Sequence, residues 1–478
     1  MKRGDRDRTF SVLVRRRSVQ PLKQLQDWLW QPVDIAFLVY FRIAFGSILL
    51  WEVQRYFNHG WIQAYWMNPA FNFTYPGFGW VQPWPGNGLI WHFALLGVLA
   101  LFIVLGCFYR LSTLLFFLGF TYIFLLEQAR YLNHFYLICL LSFLLIGLPA
   151  HRLCSIDVLR QPKLLSQTAP AWTLWLLRFQ IGVPYFYGGI AKLNGDWLRG
   201  EPMRLWLSSS TDLPLIGRFF TAEWMVYLLS YSGLLLDLLI VPLLIWRQTR
   251  LIAFVFAVLF HLTNAKLFVI GIFPWFMIAA TALFFPPSWP RQAVAVLLNI
   301  PVKASTTAIA PQRYRALITS CLLIYVSVQC LLPLRHYLYP GNVSWTEEGH
   351  RFAWHMKLRD KQGRAEFLGR DPATQVVKSL PPEQFLASWQ IRKMAGRPDM
   401  VLQFAHYLAK TVPTQGDQPL EVRARVWVSL NGRPAQLLID PLVDLAQEQR
   451  SLRPADWILP LEEPLKPATS QSNDVTSP

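Results

Sequence analysis

Nine runs of apolar residues, each near the length of a membrane-crossing helix, recur between residues 33 and 333, and no other feature restricts the fold as strongly. They cover 33–53, 88–108, 111–126, 132–149, 172–191, 223–246, 251–267, 269–286 and 316–333. A helix must supply roughly 17–25 apolar residues to cross the hydrocarbon core, where every backbone polar group is satisfied within the segment. The chain is 53% hydrophobic and only 15% charged, whereas soluble domains carry about a quarter charged residues. Its 33 Phe and 21 Trp exclude a disordered or low-complexity chain. Cys107, Cys139, Cys154, Cys321 and Cys330 lie in or beside apolar runs without C-x-x-C spacing. They read as small buried hydrophobes, not as a disulfide framework or a zinc site.

Lys and Arg in the connections set the orientation. With the N-terminus inside, the inner connections hold 18 basic residues and the outer ones 7. Residues 1–32 then form a basic cytoplasmic segment, with Arg15, Arg16 and Arg17 as its anchor and no cleavable signal. Residues 33–333 form the transmembrane domain. An odd number of spans leaves 334–465 outside as a β-rich domain, and 466–478 reads as a disordered tail. This is a multi-pass protein of a bacterial inner membrane, or of the endoplasmic reticulum membrane in a eukaryote. The +17 net charge lies mostly in the membrane part, which suits anionic lipid and gives no nucleic-acid footprint.

The fold class expected is a polytopic α-helical membrane protein of about nine spans with a C-terminal extracytoplasmic α+β or β-sandwich-like domain. Glu421–Leu430 alternates with period two, Asn431-Gly432 signals a type I′ turn, and Gln436–Ile439 returns, which predicts a hairpin. Phe352–Leu358 and Arg364–Leu368 read as a second strand pair through Lys361-Gln362-Gly363. Pro382–Lys393 and Asp399–Lys410 have helical spacing.

Ionisable and amide side chains inside spans are costly and default to functional candidates. Lys192 ends the fifth span at the outer boundary. It either snorkels to the headgroups or, with Gly188 and Gly189 permitting close helix approach and Asp196 one turn on as a partner, serves as a desolvated base. Asn133 and His134 open the fourth span at the same level, as an interfacial cap or as part of that site. His261 and Asn264 share one face of the seventh span; no carboxylate or second His joins them, so no metal is expected. Asp237, mid-span, reads as a structural partner of Arg178 or Arg42. From the residues alone, the site is a membrane-embedded cluster of lysine, histidines and amides near the outer leaflet. It is open sideways to a lipid-soluble ligand, and an outer domain covers it.

Several stretches are specific in combination: Asn133-His134 with Tyr136-Leu137; Gly189-Ile190-Ala191-Lys192-Leu193 with Asp196-Trp197; Leu234–Leu238; His261 and Asn264 with Leu267-Phe268 and Ile270-Gly271; Trp345-Thr346; Trp354; and Val426–Ser429 leading to Asp440-Pro441. From about Asp34 to about Ala446 the chain resembles the vitamin K-dependent γ-glutamyl carboxylase family, including its bacterial horizontally transferred transmembrane domain relatives. The resemblance implies that Lys192 deprotonates reduced vitamin K hydroquinone and that oxidation of the cofactor by O2 generates a strong base. That base takes a glutamate γ-proton and CO2 adds to the carbanion, which His134 stabilises with Asn133 beside it. No side-chain base matched to neutral pH could remove that proton. His261, Asn264, His350 and Trp354 are candidates for holding cofactor or substrate. The implied partners are membrane lipid, a protein or peptide glutamate substrate, and a quinone reductase that regenerates the cofactor.

The resemblance has departures, two of them near the substrate or cofactor region. The animal carboxylase carries tyrosine at the position of His350 and arginine at that of Lys361. Its paired cysteines have no counterpart in 54–87 or 345–460, nor does its long C-terminal extension. Quinone chemistry therefore carries over more readily than processive carboxylation of a propeptide-tagged protein. The alternatives are a quinone epoxidase with another acceptor, and a non-enzymatic lipid- or quinone-binding protein or transporter.

Overall fold

A computed structural model describes residues 23–214, 216–268, 270–299, 301 and 314–465. The basic run up to residue 22, with Arg15, Arg16 and Arg17, and the tail 466–478 read as disordered lie outside the described residues. Each apolar run forms a helix: α1 Ala36–Asn58, α2 Gly88–Leu105, α3 Tyr109–Leu126, α4 Asn133–Gly147, α5 Ala171–Lys192, α6 Glu223–Ile245, α7 Arg250–Leu267, α8 Phe273–Thr281, then α9 Trp289–Leu298 and α10 Arg315–Leu331. Five of these, α1, α2, α3, α6 and α7, and a sixth run formed by α10 with the turn that continues it, Arg315–Leu338, are long and apolar enough to cross a membrane. Helix α4 and the run Phe273–Phe284 are apolar but shorter. Helix α5 is long but carries Arg178, Gln180 and Lys192, and most of its residues are buried. An interior helix need not be compatible with lipid, so polar residues collect there.

Strands β1 Pro32–Asp34 and β2 Thr168–Pro170 pair antiparallel ahead of α1 and α5. Asp34 accepts from the Ala36 N–H at 2.9 Å, capping α1, and pairs with Arg291 at 2.8 Å. Helix α2 ends at Gly106 in the left-handed region (φ 63°), where a Cβ would lie 2.3 Å from the Arg42 guanidinium. Arg42 donates to the carbonyls of Ala150 and Cys154, and Arg178 to those of Leu283, Phe284 and Phe285. Neither touches Asp237, which corrects the pairing expected from sequence. These guanidiniums instead satisfy orphan carbonyls where helices end. Only Cys139 is buried; Cys154 and Cys321 are exposed, so the reading of all five cysteines as core residues fails for those two.

The C-terminal part builds one four-stranded antiparallel sheet, ordered β4-β3-β5-β6, from β3 Lys361–Arg370, β4 Val377–Ser379, β5 Glu421–Leu430 and β6 Gln436–Leu437. Helices α11 Ser388–Met394 and α12 Pro398–Thr411 follow β4, and α12 packs on β5, so the domain is α+β and not a sandwich of two sheets. Asn431 (φ 52°) and Gly432 (φ 77°) take the left-handed pair that a type I′ turn needs, and Arg433 N–H donates to Leu430 O at 3.1 Å. The partner of β3 is β5, with Lys361 opposite Leu430. Phe352–Leu358 is not a strand: Phe352, Trp354 and Lys357 all have positive φ. An extended strand cannot contain three left-handed residues in six.

Candidate active site

A cavity of about 660 Å³ lies where the outer ends of α1 and α4–α8 meet the segment 347–361 and helix α11. Lys192, the last residue of α5, points into it. Its Nζ donates to Asp237 Oδ2 at 2.6 Å and to Gly188 O at 3.3 Å, and the pair is almost fully buried. The approach depends on glycine: a Cβ on Gly189 would come within 2.7 Å of the Leu238 side chain. Asp237 therefore belongs to the site, as the partner of Lys192. Asp196, expected in that role, instead pairs with Arg433 at 2.7 Å and accepts from Asn431 at 2.8 Å, tying the hairpin turn to the membrane domain. Burial works to raise the Asp196 carboxyl, but Arg433 and Asn431 outweigh it and hold it below its usual range.

Asn133, His134, His261, Asn264 and His350 line the same cavity, as do Lys192 and Asp237. Asn133 Oδ1 accepts from Tyr131 Oη at 3.0 Å, and its Nδ2 donates to His355 O at 3.1 Å. His134 packs against Phe135 and Phe273. His261 Nε2 is 2.6 Å from Tyr185 Oη, which fixes the imidazole against α5. Trp354 is not in the wall; it is buried in the helical core against Tyr136, with ring centroids 5.0 Å apart. Named in sequence as a cofactor or substrate candidate, it lies outside the cavity lining and packs in the core. Arg42 and Arg178 also lie outside the cavity lining.

The outer wall carries His350 and Lys361, singled out in sequence, together with residues that sequence reasoning missed. Glu347 receives a two-pronged pair from Arg359 (2.7 and 2.5 Å), and Lys361 Nζ lies 3.4 Å away and donates to Trp345 O. Arg359 also donates to His350 Nε2 at 2.6 Å, so that nitrogen is the acceptor of a neutral ring. Burial favours protonation of Glu347, but Arg359, Lys361 and Arg397 prevail and keep its carboxyl below the ordinary value. Burial pushes Lys361 down to about 8. Burial, with Arg397 and Arg130 adding repulsion, pushes Lys393 down to about 8. Among the described residues, Arg130, Lys357, Lys393 and Arg397 line this wall without an ion pair. Arg130 lies over Tyr65 (3.7 Å) and Lys357, which is exposed, over Phe268 (4.6 Å), cation–π contacts at the mouth of the cavity. The one sequence-level signal for this wall was the density of His, Arg and Lys between 350 and 361.

The arrangement is that of a helical membrane protein with an extracytoplasmic C-terminal domain closing a polar, cation-walled cavity at the ends of its helices. Residues 30–289 match the model of the HTTM domain, and residues 314–464 match that of the vitamin K-dependent gamma-carboxylase lumenal domain. The chain belongs to the γ-carboxylase family that these two domains define. No solved structure matches the chain.

Proposed function

We propose that the protein is a membrane carboxylase-type enzyme that uses reduced vitamin K hydroquinone, with Lys192 as the base that takes the hydroquinone proton. The observation that carries this reading is the buried Lys192–Asp237 pair in the wall of a cavity shared with Asn133, His134 and His261. The residues present fit a flat ring with polar edges. Phe260, Phe273, Met277 and Leu267 supply apolar wall, and His261 Nδ1 is a buried polar atom without a partner among the described residues. When bound, the hydroquinone with O2 supplies a base stronger than any side chain, which is the chemistry a glutamate γ-proton demands.

The chain's own residues do the rest. Nζ of Lys192 must be a neutral amine to accept a proton, and Asp237 Oδ2 at 2.6 Å is where its own proton goes. His134, on the neighbouring helix start, faces the acceptor and stabilises negative charge developing there. The unpaired cations Arg130, Lys357, Lys393 and Arg397 hold the acceptor's carboxylate and, after CO2 addition, the second carboxylate of the product. The outer domain excludes bulk water that would quench a strong base.

The test is purified protein in detergent with reduced vitamin K, bicarbonate, O2 and a glutamate-containing peptide, with epoxide and carboxylated peptide measured separately. We expect both products. Epoxide without carboxylated peptide would keep the hydroquinone reaction and assign a different acceptor. Neither product would overturn the reading.

A further inference from the structure

The His355 imidazole is 5% exposed, and neither ring nitrogen has a hydrogen-bond partner among the described residues. It lines the cavity, edge-on to His336 (centroids 4.7 Å) and His350 (5.5 Å). Its backbone is fixed from outside: the carbonyl accepts the Asn133 amide at 3.1 Å, and Trp354 and Lys357 on either side are left-handed (φ 60° and 47°). Strained backbone of this kind persists where its surroundings over-determine it, and it collects at ligand sites. Burial, with His336 and Arg359 adding repulsion, pushes this imidazole down to about 3, so the ring is neutral. A neutral imidazole offers one N–H donor and one acceptor nitrogen. Leaving both unmet in a buried site is costly unless a ligand meets them. A carboxylate is a poor match for it, since the neighbouring cations take an anion better. An uncharged hydroxyl or carbonyl oxygen on a ring is a good one.

We propose that His355 touches the ring ligand of this cavity directly and hydrogen-bonds one of its ring oxygens, while Lys192 serves another. This rests on the reading that the cavity receives a hydroquinone or quinone. It makes His355 a binding residue that the family motifs quoted above do not include.

The experiment is equilibrium binding, which needs no turnover. The full chain in detergent is titrated with an oxidised 2,3-dialkyl-1,4-naphthoquinone and, separately, with the alkylnaphthalene that lacks both ring oxygens, by tryptophan quenching. We expect His355→Phe to weaken naphthoquinone binding about tenfold, the loss expected of one hydrogen bond. His355→Gln, which keeps a donor and an acceptor, should stay within about threefold of the wild type. The alkylnaphthalene should bind wild type and His355→Phe alike. If His355→Phe does not fold, His355→Ala against His355→Gln makes the same comparison. Wild-type binding with no loss in the apolar variant, or an equal loss for both ligands, would overturn the assignment of His355 alone. No saturable naphthoquinone binding by the wild type would overturn the proposed function as well.

Discussion

At the scale of single residues, the proposed function rests most heavily on the Lys192–Asp237 pair. Both side chains are almost fully buried at 2.6 Å, so removing one leaves the other charged and unpaired. That costs about 3–5 kcal/mol in a buried pair. We expect Asp237→Ala to lower the thermal midpoint in detergent more than the Lys192→Ala, Asp237→Ala double variant does, a coupling that a double-mutant cycle measures directly. Lys192→Ala should abolish epoxide formation at neutral pH yet recover part of it with an added small amine or at higher pH, because only deprotonation is missing. Asp237→Asn should lose roughly 10²–10⁴-fold in epoxidation, the range for a disabled general base, without amine rescue, since the amine's place is still filled. If His134 acts after the strong base exists, as proposed, His134→Ala should lose carboxylation more than epoxidation. Lys361 and Lys393, both pushed down to about 8, give the outer wall its own pH dependence. On the proposed function, their positive charge favours an anionic acceptor below that pH and is lost as pH rises through it. The KM for an acidic peptide should therefore climb above pH 8 while wild-type quinone binding stays unchanged.

At the scale of elements, the β5–β6 turn is one of the places where the outer domain docks, beside the bonds of Gln390 and Gln403 to Glu127 and Gln128. Asn431 and Arg433 bring three hydrogen bonds, each 2.7–2.8 Å, to Asp196 just beyond the end of α5. The Asp196 carboxyl is held below its usual value, so its contribution is present above the unfolded value of about 3.9 and lost as pH falls through the lowered native one. Asp196→Asn should flatten that acid limb of a stability-versus-pH curve; an unchanged acid limb would remove Asp196 from the docking. The turn itself was legible in sequence, because Asn-Gly between alternating residues has few other uses. The segment 352–358 was not. Its alternation of aromatic and polar residues mimics a strand, and only tertiary packing explains three left-handed residues there. Reading it as extended chain hid His355, which directly follows the candidate Trp354 and lies five residues after the candidate His350. Asp237 was misassigned for a related reason: hydropathy gives depth along a helix but not its rotation, so the facing partner could not be told among three bases.

At the scale of the whole molecule, the apolar runs were readable because their length is set by the bilayer, whereas the cation wall was not, because it is assembled from three separate stretches of chain. Arg130 follows α3, Lys357 and Lys361 precede and open β3, and Lys393 and Arg397 flank the end of α11. The orientation links the two levels. Arg42, Arg178 and Arg250 each donate to carbonyls at helix ends: Ala150 and Cys154, Leu283 to Phe285, and Leu244 and Ile245. Those ends follow α4, the run Phe273–Phe284 and α6, so they share one face of the bundle. The cavity, Lys192 and the start of α4 sit at the opposite ends of the same helices. Basic residues in short loops are retained on the cytoplasmic side, so with Arg247 and Arg250 at the loop after α6 we expect that face in the cytoplasm and the cavity on the other side. A reporter fused after Arg250 should then be active only in the cytoplasm, and one fused after Leu334 only outside it. The two positions lie at opposite faces whatever the orientation, so equal activity on one side would break the helix count between them. A clean reversal would keep the fold and turn the whole protein over, placing the proposed site on the cytoplasmic side.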